Sequence, residues 1–187
     1  MGLSQTQALL ARLFTDATAR RAFFANPEAT AMGLGLDAAE ARTLARLDRR
    51  EVESFARSLL GKRALDARKA TPLTARALGD AFDPLLFEAI EGAPAPDRHR
   101  ADAAALAALL ASRAGEPPWI GDLARYEMAF VAAARPGAVF LLRRFAWPVD
   151  DLSRKLMAGE PIGETAPRGR VGVWWRAPRG RLFWRLF

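Results

Sequence analysis

The residues with the clearest binding chemistry lie in the last eighteen positions, RVGVWWRAPRGRLFWRLF, where arginines are interleaved with aromatic side chains. Guanidinium groups bind carboxylates through paired hydrogen bonds, and aromatic rings provide large apolar contact areas. Neighbouring residues of a strand point to opposite faces, so Trp174 and Trp175 are predicted on opposite sides of a sheet. Either helices of the same chain cover both faces, or one face and an open strand edge bind a partner.

The remaining residue types offer little catalytic chemistry. The chain has no cysteine, and its one histidine, His99, lies between Arg98 and Arg100 in the predicted loop EGAPAPDRHR. Two arginines disfavour a bound cation, so His99 is predicted to be a solvated loop residue. The serines lie in predicted helices with no base nearby in the sequence. We therefore expect no catalytic residue, no metal site and no cofactor, and a chain that is not an enzyme.

One carboxylate, Glu127, falls within an apolar helical pattern. Leu123 precedes it and Val131 follows it at helical spacing, which predicts a half-buried side chain. A structural salt bridge to an arginine is favoured over catalysis, because no acid or base partner is evident in the sequence.

The first 135 residues have the pattern of helices separated by Pro and Gly. Helices are predicted in TQALLARLF, DATARRAFFA, LDAAEARTLARLD, EVESFARSLLGKRALDARKA, LTARALGDAF, LLFEAIEG, ADAAALAALLASRA and PPWIGDLARYEMAFVAAA. The pair Asp37 and Glu40 has the spacing of a capping box.

After Arg135-Pro136-Gly137 the pattern changes to that of strands. AVFLLRRFAW predicts a strand and VDDLSRKLMAG a short helix ended by Gly159. A hairpin follows, with strands at 170–176 and 181–187 joined by a type I turn and a glycine bulge at Gly180. The prediction is an α+β fold: a helical domain over 1–135, then a three-stranded antiparallel sheet with one helix over 136–187.

Composition indicates a folded, basic chain. Hydrophobic residues make up 51% and charged residues 26%, and the formal net charge is +7. A positive excess favours nucleic acid, anionic lipid or acidic protein as partner. Neither a signal peptide nor a membrane-spanning stretch is evident, so a cytoplasmic location and no membrane partner are expected by default.

Several motifs resemble known families. Residues 10–63 resemble the small helical domains of modified-peptide biosynthesis clusters and, more distantly, small subunits of extradiol ring-cleaving dioxygenases. The shared features are Thr15-Asp16, Arg20, Phe24, Asn26-Pro27, Gly35-Leu36 and the Ala-Arg-Ser-Leu-x-x-Lys-Arg segment at 56–63. WIGDLARYEMAF resembles the DLA-x-x-E helix of a family once labelled DNA-binding. With its strand-helix-hairpin tail, nearly the whole chain resembles the partner proteins of multinuclear non-heme iron oxidases in ribosomal-peptide natural-product biosynthesis, including the methanobactin biosynthesis partner subunit.

That resemblance implies a non-catalytic adaptor. The helical part would hold the oxidase in a heterodimer, and the tail would resemble a winged-helix-like peptide-recognition element that adds the leader of the precursor peptide as a strand. The iron ligands would belong to the oxidase. The predicted peptide-binding residues are Phe140, Leu142, Arg143, Arg144, Trp147, Trp174, Arg176, Arg181, Phe183 and Arg185. Whether the strand at 138–147 or the strand at 181–187 provides the open edge stays undecided at this point.

The alternative is a nucleic-acid-binding transcriptional regulator, which the positive charge and the winged-helix-like tail favour. Two observations count against it. Arginines occur in both halves of the chain, and the helix VDDLSRKLMAG begins with two aspartates where a recognition helix would meet phosphates.

Overall fold

A computed structural model describes residues 2–91, 98–113, 115, 117–137 and 139–187, together with their side chains except those of 2–4, 98 and 99. The chain forms two compact units. Of the described residues, the first unit contains 2–63 and Glu91, and the second contains 64–90 and everything from 98 onwards.

The first unit is helical. Its helices are α1 (Gly2–Thr15), α2 (Ala17–Ala25), α3 (Pro27–Gly33), α4 (Ala38–Leu44) and the first part of α5 (Arg49–Ala70). Of these, α3 was not predicted from the sequence. The core of the first unit contains Leu9, Leu13, Phe23, Ala31, Leu36, Ala41, Leu44 and Val52.

Side-chain caps set the helix starts in this unit. Asp16 accepts hydrogen bonds from the backbone N–H groups of Thr18 and Ala19 at the start of α2. Asp37 and Glu40 form the predicted capping box at the start of α4. Such caps satisfy N–H groups that have no partner inside the helix.

The second unit contains the end of α5, further helices and the sheet. Its helices are α6 (Pro72–Leu78), a short 3-10 helix (Gly79–Ala81), α7 (Phe82–Ala89), α8 (Arg98–Ser112), α9 (Ile120–Ala133) and α10 (Val149–Ala158). Helix α9 contacts α6, α8, α10 and the strands β1 (Val139–Phe145) and β2 (Arg170–Arg176). It is therefore the central helix of this unit.

The sheet is antiparallel, in the order β1-β2-β3, where β3 is Phe183–Leu186. The hairpin turn contains a hydrogen bond from Gly180 N to Ala177 O of 2.9 Å. The left-handed residue in it is Arg179, with φ +60°, rather than the predicted Gly180. Strand β3 begins at Phe183, two residues later than predicted.

The α+β prediction is confirmed: the described chain is mostly helical, with a small three-stranded antiparallel sheet at its C-terminal end. The domain boundary at 135/136 stays a prediction. It separates helices from strands, whereas the division into compact units places the sheet in the same unit as α6 to α10.

No helix in the described ranges has the length and apolarity needed to cross a bilayer. His99, predicted in a loop, lies in the first turn of α8. Most of the predicted loop, residues 92–97, lies outside the described residues.

Candidate functional site

Register assigns every strand residue to one of two faces. Phe140 pairs with Trp175, and Trp175 with Phe183, so these three rings share a face. Leu141 pairs with Trp174, and Trp174 with Trp184, which places those three residues on the opposite face. We name the Trp174 side the inner face and the Trp175 side the outer face.

The inner face is packed against α9. The Trp174 ring is fully buried, 5.4 Å from the Phe130 ring centroid and 6.2 Å from that of Tyr126. A side chain at Gly172 would lie 2.5 Å from the Trp174 ring, so that ring uses space available only beside a glycine. The indole Nε1 of Trp174 has no hydrogen-bond partner among the described residues.

The outer face is open. Phe140 is 78% exposed and Phe187 64%, and Leu142, Trp175 and Phe183 are also exposed. The Trp175 and Phe183 rings stack on each other, with centroids 5.7 Å apart. By register this face also contains Leu142, Val173 and Arg185 in one row and Arg144 beside Val171 in the next. It is therefore an apolar surface with two arginines.

The free edge of β1 is partly blocked. In an antiparallel pair the backbone groups of alternate residues face away from the neighbouring strand. The Arg143 guanidinium donates to the Leu142 carbonyl oxygen at 2.8 Å, and Arg125 of α9 donates to the Arg144 carbonyl oxygen at 3.2 Å. Two outward-facing acceptors of β1 are thus already bound within the chain.

The free edge of β3 is unpartnered. Val171 and Phe187 exchange both backbone hydrogen bonds, at 3.1 and 3.0 Å. Because hydrogen-bonded pairs alternate, the backbone groups of Trp184 and Leu186 face away from β2. Within the described ranges, nothing bonds to these outward-facing groups.

An apolar groove of about 740 Å³ adjoins β3 at Trp184. Helix α6 contributes Leu73, α9 contributes Tyr126 and Phe130, and α10 contributes Met157. Burial raises the pKa of the Tyr126 phenol. Charged side chains of Arg76, Asp150 and Arg154 also line the groove, but most of its lining is apolar, which suits apolar side chains of a ligand.

The two acids of the DLA-x-x-E segment have structural roles. Asp122 accepts hydrogen bonds from the backbone N–H groups of Ala146 and Trp147, at 2.6 and 3.1 Å, and so fixes the connection from β1 to α10. It also pairs with Arg125 at 3.0 Å.

Glu127 caps α6. Its carboxylate accepts from the backbone N–H groups of Leu73 and Thr74 and from the Thr74 hydroxyl, at 2.7 to 2.8 Å. The predicted salt bridge to an arginine is wrong: the carboxylate is buried and binds a helix start instead. Burial raises the pKa of Glu127, and these hydrogen bonds oppose the rise. Since three donors occupy the carboxylate, it is not a free general base.

Several arginines of the sheet segments are engaged within the chain. Arg170 pairs with Asp150 at 2.9 Å. Burial acts to raise the pKa of Asp150, but the hydrogen bond and charge of Arg170, together with backbone N–H groups, lower it overall. Arg176 donates to the carbonyl oxygens of Gly137 and Arg135. These two guanidinium groups stabilise the unit and are not open to a ligand.

The structure brings together half of the predicted peptide-binding residues. On the outer face are Phe140, Leu142, Arg144, Phe183 and Arg185. Arg143 lies at the β1 edge with inner-face register, Arg181 precedes β3, and Trp147 is a half-buried residue between β1 and α10. Arg176 is bound to carbonyls, as described above.

Trp174 requires correction, because it is a core residue. A fully buried ring between the sheet and α9 is not accessible to a peptide. Its neighbour Trp175, 41% exposed, occupies the surface position instead. The alternation of strand residues correctly predicted that the two rings lie on opposite faces. Which of the two faces α9 covers depends on the tertiary structure. Met157, which is 65% exposed, and the rest of the groove left no sequence signal beyond helical periodicity.

No group of His, Asp or Glu side chains suited to a metal ion occurs in the part of the chain that the structure describes.

A known family model matches part of the chain. The model of a family described as "SCO6045-like, C-terminal domain" matches residues 38–112, which run from α4 to the end of α8. No curated protein and no solved structure matches the chain. The strands lie outside the matched range, and of the groove only the part lined by the end of α5 and by α6 lies inside it. The match therefore says nothing about the strand edge or the outer face.

Proposed function

We propose that the chain is a non-catalytic partner subunit of an iron-dependent peptide-modifying oxidase, and that it recruits the leader of the precursor peptide by strand addition to β3. The observation that carries the proposal is the unpartnered β3 edge beside an apolar groove. An added strand gains main-chain hydrogen bonds from the edge, and its alternate side chains reach the groove.

Charge supports a peptide of acidic character. Arg185 lies on β3 itself, and Arg181 lies two residues before this strand. Both are exposed, and neither forms an ion pair in the described part of the chain. Guanidinium groups beside the edge favour carboxylates on the incoming strand.

The proposal also answers which strand receives the peptide. The outward-facing carbonyls of Leu142 and Arg144 in β1 already have donors, whereas the corresponding groups of β3 have none. Strand addition at β1 would have to displace both guanidinium groups, so β3 is the edge we propose.

The alternative, a nucleic-acid-binding regulator, is less well supported. At the start of α10, Asp150 pairs with Arg170 and Asp151 with Arg154. The first turn of this helix therefore presents carboxylates rather than free cations to a phosphate backbone.

The test is a titration of the full chain with a synthetic leader of the precursor peptide encoded nearest to the oxidase in the source genome. The informative variant is Leu186→Pro. The Leu186 N–H faces outward, so proline removes an edge donor without breaking a hydrogen bond to β2. We expect at least a tenfold loss of leader affinity, of the order that one or two lost hydrogen bonds produce.

The matched control is Leu186→Ala, which removes the side chain but keeps the edge N–H. N-methylation of the leader at successive residues provides a second control, because only alternate amides point to β3. An equal loss for both Leu186 variants, together with no alternation along the methylated peptides, would refute strand addition. Binding of random duplex DNA with a steep salt dependence would instead favour the regulator.

A further inference from the structure

The outer face of the sheet is a second exposed surface, distinct from the strand edge of β3. A strand added to β3 lies beside the sheet and extends it, so it leaves the outer face uncovered. Phe140, Leu142, Trp175, Phe183 and Phe187 remain between 41% and 78% exposed on this face. A clustered apolar surface of this kind marks an interaction site in a folded protein.

The excess of positive charge in the chain lies in the segments that form and flank the sheet. Residues 139–147 and 165–187 contain eight arginines and no aspartate or glutamate, which leaves 20 basic and 21 acidic residues in the rest of the chain. Arginines do occur in both halves, but the excess belongs to the sheet segments. On the outer face, Arg144 and Arg185 have no carboxylate partner in the described ranges.

We infer that the outer face is a docking surface for a folded protein whose contact surface is apolar at its centre and carries carboxylates at its rim. Aromatic rings and arginines are the residue types that contribute most to protein interfaces. Complementary charge would orient the partner and speed association. This inference rests on the proposed function in one respect, since the oxidase is the candidate partner. It places the oxidase on the sheet, whereas the family resemblance implied the helical part.

Charge and side-chain type argue against the other occupants. A second copy of this chain would bring four outer-face guanidinium groups into one interface, and the sheet segments have no aspartate or glutamate to pair with them. Single-stranded nucleic acid stacks its bases on free aromatic faces. Here Trp175 and Phe183 stack on each other, and the middle row consists of Leu142, Val173 and Arg185.

A peptide bound to β3 and a protein bound to the outer face would be direct neighbours. The Phe183 and Arg185 side chains stand on the outer face, while the same strand presents its free edge to the peptide. The arrangement would hold a substrate peptide beside the enzyme that modifies it and so raise its effective concentration there.

The experiment measures binding of the full-length chain to two probes, the purified oxidase subunit from the same organism and the synthetic leader. The variants are Phe140→Ser with Phe183→Ser, and Arg144→Glu with Arg185→Glu. The matched control is Leu65→Ser in α5, because Leu65 is an equally exposed apolar residue, at 61%, of the same unit. Circular dichroism and melting temperature verify folding of each variant.

We expect each double variant to lose at least about tenfold in oxidase affinity, and the Leu65 control to lose none. The serine pair should bind the leader as the wild type does, whereas the arginine pair should also bind an acidic leader less tightly, because Arg185 lies beside the β3 edge. Unchanged oxidase affinity with normal leader binding would overturn the outer-face inference and leave the proposed function standing. A wild-type chain that binds neither probe would overturn both.

Two further outcomes identify other occupants. If a fluorescent dT20 oligonucleotide binds the wild type but not the outer-face variants, the face is a nucleic-acid site and the inference is overturned. A wild-type chain that is dimeric in solution, and monomeric as the phenylalanine double variant, would make it a homodimer interface and overturn the inference as well.

Discussion

The two faces of one small sheet are built from the same residue types and have opposite surroundings. Trp174 and Trp175 are adjacent in β2, yet the first is fully buried against α9 and the second is 41% exposed. Composition therefore does not distinguish a core face from an exposed face; the difference comes from the helix that covers only one of them. The inner face holds the unit together, and the outer face stays open.

The largest expected effect on stability comes from the inner face. Trp174→Ala should lower the free energy of unfolding by about 3 to 5 kcal/mol, because it leaves a large cavity between the sheet and α9. Trp175→Ala, one residue away, should lower it by less than about 1 kcal/mol. Urea unfolding of both variants measures the contrast, and similar losses would show that the two faces are not distinct.

A smaller loss is expected from Gly172→Ala. The new methyl group would lie 2.5 Å from the ring of Trp174, which is buried and has no room to move aside. Overpacking of this kind costs about 1 to 3 kcal/mol. The matched control is Gly163→Ala, where an added methyl group meets nothing within 4 Å. Equal melting temperatures for the two variants would contradict the packing described here.

Glu127→Gln tests the support beneath the groove. A glutamine cannot accept from all three donors without turning its amide N–H₂ toward one of them, so we expect a loss of about 1 to 2 kcal/mol. Burial raises the pKa of Glu127 in the folded state, so the folded chain holds its proton at pH values where the unfolded chain has released it. The stability of the wild type relative to the variant should therefore fall as the pH rises from the ordinary carboxyl pKa through the raised one. Urea unfolding across that pH range measures it, and a difference that grows with pH would contradict the direction given for Glu127.

The smallest effect on stability should come from Phe140→Ser on the outer face. Because the side chain is 78% exposed, its loss should change the free energy of unfolding by no more than about 0.5 kcal/mol. A loss above about 2 kcal/mol would mean that Phe140 packs inside the folded chain. Together with Trp174→Ala, this variant gives the two extremes of the comparison.

Much of the local structure was predictable because its causes are local. The capping box at Asp37 and Glu40, and the end of α10 at the left-handed Gly159, depend on residues a few positions apart. The alternation that put Trp174 and Trp175 on opposite faces has the same short range. The helix α3 was missed because Asn26-Pro27 has the pattern of a helix end, whereas in the structure Asn26 caps α3 and Pro27 begins it.

The sequence by itself determined the order and type of most elements, since helix periodicity, strand alternation and turn residues all act over a few positions. Only the tertiary structure decided which tryptophan is buried, which helix Glu127 caps and which strand edge stays open. Each of these depends on segments far apart in the chain: α9 against the sheet, Glu127 against Thr74, and Arg125 against the carbonyl of Arg144. Contacts at such separations produce no periodic pattern in the sequence. The open strand edge and the exposed face can therefore be identified only from the folded structure.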